Sequence, residues 1–221
     1  MFFLNILFFL PSCNKQKNNK LAQNYYKMAL VELQDQRDLN NYSYKKALEY
    51  VNLALNLNTT PEYLALKATL LLELADENVA LEFFDAALIN TKDNKLKCEI
   101  LNNKACLQAQ IGMLSKNENL INSSILIWQD LTKNKDYLTP EVALYNISKV
   151  NAYNNNYINA KQNLEHAIKL APNYLDAHYY LALINYNLSD FNAAKREIDS
   201  VLFLYPEHKN ALQLKSLIQK I

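Results

Sequence analysis

The chain has 221 residues, of which half are apolar and one is glycine. Its 23 basic and 22 acidic side chains nearly cancel, so it lacks the strongly basic character by which proteins bind nucleic acids. The single glycine excludes a glycine-rich phosphate loop, and the shortage of turn residues argues against an all-β fold and favours helices.

The first predicted element is the apolar run MFFLNILFFL, which is far shorter than the ~20 residues of a membrane-spanning helix. Ser12, Cys13 and the polar stretch NKQKNNK follow it. This order resembles the lipobox of bacterial lipoproteins, which implies a signal peptide at residues 1–12, a lipid on Cys13 and a polar tether over residues 13–20. By the sorting rules of such lipoproteins, Asn14 implies the outer membrane, facing the periplasm. The alternative is a frayed hydrophobic N-terminal helix with an incidental cysteine.

Two pairs of helices are predicted next, over residues 21–58 and 61–94. In the first pair, the first helix runs from about Asn24 to Gln34 and is joined by a long loop to the second, YKKALEYVNLALNLN. In the second pair, small residues stand where two helices would cross. The residues that define the two pairs are Ala47, Val51 and Ala54, then Ala68, Ala80, Phe84 and Ala87.

A third pair is predicted over residues 98–139. Its first helix contains LNNKACLQAQIG, in which Ala105 and Gly112 fit the small positions. Its second half departs from the pattern and is stretched by about nine residues relative to the ~34-residue period of the other units. We expect Trp128 in this segment to pack in the core.

The fourth and fifth pairs, residues 141–174 and 175–208, repeat one pattern. NNYINAKQNLEHAIKLAP in the fourth matches SDFNAAKREIDSVLFLYP in the fifth at a spacing of about 34 residues. Small residues occupy the crossing positions, apolar residues line the facing sides, and a proline closes each second helix. The crossing residues are Ser148, Ala160, Ala182 and Ala194, and the closing residues are Pro172 and Pro206.

This pattern resembles the tetratricopeptide repeat (TPR), in which two antiparallel helices form each unit. The resemblance covers residues 21–208 and implies an all-α, right-handed superhelix of about five helix pairs with a concave face. After Pro206, residues 209–221 carry an apolar stripe at helical spacing, Ala211, Leu214, Leu217 and Ile218. We expect this segment to cap the last pair, which would otherwise expose its apolar side.

In TPR proteins fixed positions of each first helix line the concave groove. The resemblance places a surface rich in tyrosine and asparagine there, which suits an extended or helical segment of a protein partner. Packing between neighbouring helices is the alternative role for these tyrosines. The predicted groove residues are Asn102, Asn103, Cys106, Tyr145, Asn146, Lys149, Tyr153, Tyr179, Tyr180, Leu183 and Tyr186.

Two further segments, LNNKA and DYLTPEVALYN, resemble the paired signatures of the lipoprotein pilotins of type IV pilus secretins. This resemblance implies an outer-membrane lipoprotein that assists assembly of the secretin ring. A TPR adaptor of other envelope or secretion machinery, and a soluble cytoplasmic TPR scaffold, are the alternatives.

We expect no enzymatic activity, because no nucleophile is accompanied by a catalytic motif. The histidines His166, His178 and His208 have no second ligand at metal-type spacing, so no metal or other cofactor is expected. His178 falls at a core position of the fifth pair. The expected partners are a protein segment and, through the lipid, a membrane, with no nucleic acid and no small-molecule substrate.

Overall fold

The computed structural model describes residues 11–34, 41–74 and 76–220, with side chains from Lys15 onward. These residues form eleven helices and no strand. None of the helices in these ranges is both long and apolar enough to cross a bilayer.

The predicted signal peptide lies almost wholly outside the described residues, as does the side chain of Cys13. The helices are α1 (Pro11–Glu32), α2 (Asn41–Leu57), α3 (Pro61–Glu73), α4 (Glu77–Asn90), α5 (Asn94–Ser115), α6 (Glu118–Lys133), α7 (Pro140–Tyr153), α8 (Tyr157–Leu170), α9 (Leu175–Asn187), α10 (Phe191–Leu204) and α11 (Lys209–Ile218).

The chain divides into two compact units, Met1–Ile100 and Leu101–Ile221. In the first unit α1 packs against α2 and α3 against α4, and α2 also contacts α3. Alanines, together with a few larger apolar side chains, fill the contacts between these helices. The buried residues of the two clusters are Ala29, Ala47, Val51 and Leu70, and Ala22, Ala54 and Tyr63.

Helix α1 is longer than the helix from about Asn24 to Gln34 that the sequence pattern indicates. It begins at Pro11 and ends at Glu32, so the polar stretch predicted as a tether is helical. Proline is accepted in the first turn of a helix, and neither glycine nor a second proline interrupts the segment. The long loop predicted before α2 falls on residues 35–40, outside the described residues.

The small crossing residues are buried as predicted. Ala68 and Ala80 in the first unit have no exposed surface, and neither do Ser148, Ala160, Ala182 and Ala194 in the second. Ser148 satisfies its buried hydroxyl by donating a hydrogen bond to the Tyr145 carbonyl at 2.6 Å. The helices therefore approach closely at Ser148 with its buried hydroxyl paired.

In the second unit, the two helices of each pair are connected by the same type of hydrogen-bonded turn. The backbone N–H groups of Asn117, Asn156 and Asp190 donate to carbonyl oxygens five residues earlier, at 2.8, 2.8 and 2.9 Å. The residue before each of them has a left-handed backbone, with φ between 55° and 61°. Each of the three side chains then accepts a hydrogen bond from the first turn of the following helix. This is a Schellman end that also serves as the next N-cap.

The shared turn corrects the register predicted for the third pair. Aligning Asn117 with Asn156 makes Ala109, rather than Ala105, equivalent to the crossing residue Ser148. Ile121 then takes the place that Ala160 has in α8. The turn residues Asn117 and Asn156 are 39 positions apart, against 34 for Asn156 and Asp190, so the second half is stretched by about five residues instead of nine. Helix α6 has 16 residues against 14 in α8, and the rest lies mainly in the loop that follows it. Helix α5 is long as well, with 22 residues.

Helix α11 covers the last pair as predicted. Ala211 and Leu214 pack against Ala182, Ile198 and Val201. His208 accepts a hydrogen bond from the Ala211 N–H at 3.1 Å and caps the helix. Leu217, which the stripe placed on the buried side, is 50% exposed, whereas Ile218 packs against the cluster.

Candidate binding groove

Two adjoining cavities lie along the first helices of the pairs in the second unit, and together we call them the inner groove. The first cavity has a volume of about 330 Å³ and the second about 440 Å³. Met113 on α5 and Lys149 on α7 line both. The first is lined by Cys106, Ala109, Gln110, Met113, Trp128, Asn146, Lys149 and Val150. The second is lined by Met113, Lys149, Ala152, Tyr153, Tyr157, Tyr180, Leu183, Ile184 and Asn187.

Lys149 is the one charged side chain among the residues that line these cavities. It is exposed, and its ammonium nitrogen lies 5.7 Å from the centre of the Tyr145 ring. The carboxylates of the second unit lie elsewhere on its helices. The inner groove therefore combines apolar walls with a single positive charge.

Tyr153 forms one wall of the second cavity. Its hydroxyl donates a hydrogen bond to the Met113 carbonyl at 2.9 Å, near the end of α5, where helix carbonyls lack intrahelical partners. The side chain is 45% exposed. It thus presents a fixed aromatic face toward solvent.

A small polar network supports the first cavity. Asn102 accepts hydrogen bonds through Oδ1 from Trp128 Nε1 at 3.1 Å and from Asn146 Nδ2 at 3.5 Å. Asn146 Nδ2 also donates to Cys106 Sγ at 3.4 Å. Asn102 therefore holds the indole and the neighbouring amide in place and does not itself line the cavity.

Cys106 is a neutral thiol in this network. Burial raises its pKa to about 11, although the positive charge of Lys149 acts in the opposite direction. The thiolate, rather than the thiol, is the nucleophile and metal ligand. Among the described residues no cluster of three or more histidine, cysteine or carboxylate side chains could hold a metal ion.

Tyr145 lies between helices instead of in the groove. Its ring is 5.4 Å from that of Tyr174 and 5.8 Å from that of Tyr180, and it packs against the core that α7, α8 and α9 share. Burial, with a smaller effect of the nearby Asp176 carboxylate, raises its pKa to about 12. Tyr180 belongs to the same aromatic cluster but also reaches the second cavity.

Tyr179 and Tyr186 also pack between helices. Both contact the cluster that includes Ile198 and Val201. The Tyr179 ring lies 4.9 Å from the His208 ring, and the Tyr186 ring lies 5.7 Å from the Phe191 ring. Neither residue lines the inner groove.

Of the eleven predicted groove residues, the structure brings six to the inner groove: Cys106, Asn146, Lys149, Tyr153, Tyr180 and Leu183. The other five, Asn102, Asn103, Tyr145, Tyr179 and Tyr186, lie outside it. Asn103 is exposed and accepts a hydrogen bond from the Asn102 amide at 3.4 Å. Whether any of these residues binds a partner stays a prediction.

Sequence reasoning missed Gln110 and Met113 and assigned Trp128 to the core alone. Trp128 is 2% exposed, yet it lines the first cavity. Gln110 and Met113 could have been found from the turn at Lys116 and Asn117. When Asn117 is aligned with Asn156, Gln110 becomes equivalent to Lys149 and Met113 becomes equivalent to Ala152.

Comparison with known proteins supports the fold. The family model described as the Fis1 C-terminal tetratricopeptide repeat matches residues 175–221, which form α9, α10 and α11. No curated protein sequence matches the chain.

Similar solved structures include the proteins PilF and PilW. PilF of Pseudomonas aeruginosa superimposes with a TM-score of 0.72 at 16% identity, over 92% of this chain and 85% of that one. PilW, described as a widely conserved type IV pilus biogenesis factor, gives 0.75 at 20% identity, over 91% and 86%.

A third structure, YrrB, is described as a TPR protein with an unusual peptide-binding site. It gives a TM-score of 0.58 at 14% identity, over 93% of this chain and 97% of that one. At these identities the likenesses show the fold alone. Together with the helix pairs and their buried small residues, they identify the fold of the chain as an all-α TPR fold.

Proposed function

We propose that the chain is an interaction scaffold whose inner groove binds a segment of a protein partner. The observation that carries this proposal is the pair of adjoining cavities that share Met113 and Lys149. Apolar walls give affinity, and the amides of Gln110 and Asn187 can pair with a peptide backbone. The fixed ring of Tyr153 offers contact area at low entropic cost.

The groove is tested by substitutions that block it. Leu183→Asp places a charge in the second cavity, and Gln110→Arg adds bulk and charge at the exposed rim of the first. Leu212→Asp is the matched control, because Leu212 on α11 is 47% exposed and lies outside the groove. Each folded variant is compared by circular dichroism, and a photo-crosslinker at Gln110 then identifies the partner in the cell. We expect crosslinks at Gln110, lost with Leu183→Asp and kept with Leu212→Asp. Gln110→Arg cannot carry the crosslinker and is compared by co-purification of the partner. Equal crosslinking in the wild-type, Leu183→Asp and Leu212→Asp chains would refute the groove as the binding site.

We further propose that the protein is an envelope lipoprotein attached through Cys13. Support comes from the short apolar run, the cysteine that follows it and the polar stretch after the cysteine. Mass spectrometry of the membrane fraction should find an acylated N-terminal cysteine. An intact Met1, or a chain found wholly in the soluble fraction, would favour the cytoplasmic scaffold.

Within the envelope, we propose a role in assembling an outer-membrane complex such as a type IV pilus secretin. The fold likeness to PilF and PilW supports it, as do the LNNKA and DYLTPEVALYN segments. Some signature residues also serve the fold: Asn102 bonds Trp128, and Tyr137 is buried.

Deletion of the gene should reduce the detergent-resistant secretin multimer, and restoring the wild-type gene should recover it. A normal multimer in the deletion strain would favour the alternative, an adaptor of other envelope machinery.

A further inference from the structure

Lys149 differs from three lysines that form ion pairs, Lys46, Lys161 and Lys215. Lys46, Lys161 and Lys215 lie 2.7, 3.7 and 2.7 Å from carboxylate oxygens of Glu32, Asp190 and Asp199. Within the described ranges, Lys149 has no carboxylate at such a distance, and its nearest defined contact is the Tyr145 ring. A positive charge thus stands at the junction of the two cavities without an anionic partner.

The walls on either side of Lys149 are apolar. Val150 and Met113 flank it toward the first cavity, and Leu183 and Ile184 toward the second. A segment that covers these walls also removes water from around the ammonium group. Removing water from an unpaired charge is unfavourable, and a carboxylate at hydrogen-bond distance offsets that cost.

We propose, building on the proposed function of the inner groove, that the bound segment carries an aspartate or glutamate with an apolar residue on each side. The carboxylate pairs with Lys149. The two apolar side chains fill the first and second cavities. The charge selects the acidic residue, and the two cavity volumes of about 330 and 440 Å³ admit a large aliphatic or aromatic side chain each.

The spacing along α7 is consistent with one short segment. Asn146 and Val150 reach the first cavity, and Tyr153 reaches the second. These positions lie on successive turns of the helix, about 5.4 Å apart. An extended chain advances roughly 3.3 Å per residue, so a segment of a few residues spans both cavities and passes Lys149.

A random peptide library displayed on phage tests the proposal with the immobilised full chain. Wild type, Lys149→Gln and Lys195→Gln are used in parallel, because Lys195 on α10 is exposed and lies outside the groove. We expect wild type and Lys195→Gln to enrich sequences with an acidic residue between two apolar ones. Lys149→Gln should retain the apolar preference and lose the acidic one.

The most enriched peptide and its acid-to-amide analogue are then synthesised, and their dissociation constants are measured by fluorescence anisotropy. On wild type the amide should bind at least about five-fold more weakly, an effect that shrinks at high salt. On Lys149→Gln the two peptides should bind within about two-fold of each other, as a double-mutant cycle requires.

The possible failures are distinguishable. Two results would overturn the charge pairing while the groove remains a peptide site. The first is that the enriched peptides have no acidic residue. The second is that the change from acid to amide weakens binding equally on wild type and on Lys149→Gln. Enriched peptides that bind Leu183→Asp and Gln110→Arg as well as wild type, or no enrichment at all, would overturn both the groove and this inference.

Discussion

Gly112 on α5 and Ile121 on α6 are in such close contact that no side chain fits between them. A Cβ atom at Gly112 would lie 2.8 Å from Ile121 Cγ1, 3.0 Å from the Ile121 nitrogen and 3.1 Å from the Asn117 carbonyl. The large Ile121 occupies a place that alanine holds in α8 and α10, so the glycine compensates for it. The one glycine of the chain serves close packing between helices.

Gly112→Ala should therefore destabilise the second unit. In an exposed helix the same change would stabilise by about 1 kcal/mol, whereas overpacking here should cost about 1–3 kcal/mol. Urea unfolding measures the difference. Adding Ile121→Ala to the Gly112→Ala variant should recover the part of the lost unfolding free energy that the steric clash with Ile121 causes. A Gly112→Ala variant more stable than wild type would contradict the contact.

His178 should make the stability of the second unit depend on pH. Its Nδ1 lies 2.7 Å from Glu197 Oε2 and its Nε2 lies 2.9 Å from the Pro172 carbonyl oxygen. Both partners accept hydrogen bonds, so the arrangement favours the doubly protonated ring. The hydrogen bond to Glu197 is the main cause of a raised His178 pKa, with burial acting against it.

Because the folded pKa lies above the unfolded value of about 6.5, this contribution is fully present below pH ~6.5 and is lost as pH rises through the folded pKa. Unfolding free energies measured across this range should fall more for wild type than for Glu197→Gln. NMR titration of His178 provides the pKa directly. A folded pKa at or below that of an unstructured peptide would contradict the prediction.

Alanine substitutions at Asn102 and Asn103 should differ in their effect on stability. Asn102→Ala leaves the buried Trp128 indole N–H without its acceptor and should cost about 1–3 kcal/mol. Asn103 is exposed, so Asn103→Ala should change stability by less than about 0.5 kcal/mol. Thermal unfolding followed by circular dichroism provides both values. Equal effects of the two substitutions would argue against the polar network.

Tyr145 and Tyr153 should also behave differently. Tyr145→Ala removes a ring that contacts Tyr174 and Tyr180 and should lower stability by about 2–4 kcal/mol. Tyr153→Ala removes a largely exposed wall and should leave the unfolding free energy within about 1 kcal/mol of wild type. It should weaken binding of a groove peptide by about 1–2 kcal/mol. If Tyr145→Ala weakened peptide binding and Tyr153→Ala lowered stability instead, Tyr145 would be the groove anchor.

The sequence was sufficient for the helix pairs and their contacts, since a small residue at a helix crossing follows from size alone. It was insufficient for the register of α5. Ala105, Ala109 and Gly112 are all small and one or two turns apart, so composition could not choose among them, whereas the turn at Lys116 and Asn117 does.

The tyrosines were ambiguous for a different reason. A tyrosine on a first helix can face the groove or a neighbouring helix after a modest rotation about the helix axis. Its amphipathic ring suits both surroundings. Packing with aromatic partners decided the orientation of these tyrosines. Tyr145 and Tyr179 contact rings from the helix two further along the chain or from the residue before it, and Tyr186 contacts Phe191 of α10. Those contacts are not visible in the local pattern.

The position of Trp128 gives the protein its own optical probe. It is the one tryptophan of the chain, and it lines the first cavity while its indole N–H donates a hydrogen bond to Asn102. Any segment that fills that cavity changes the polarity around the indole. Trp128 fluorescence therefore reports occupancy of the groove in the unlabelled chain. Excitation at the red edge of tyrosine absorption keeps the emission of the 15 tyrosines low.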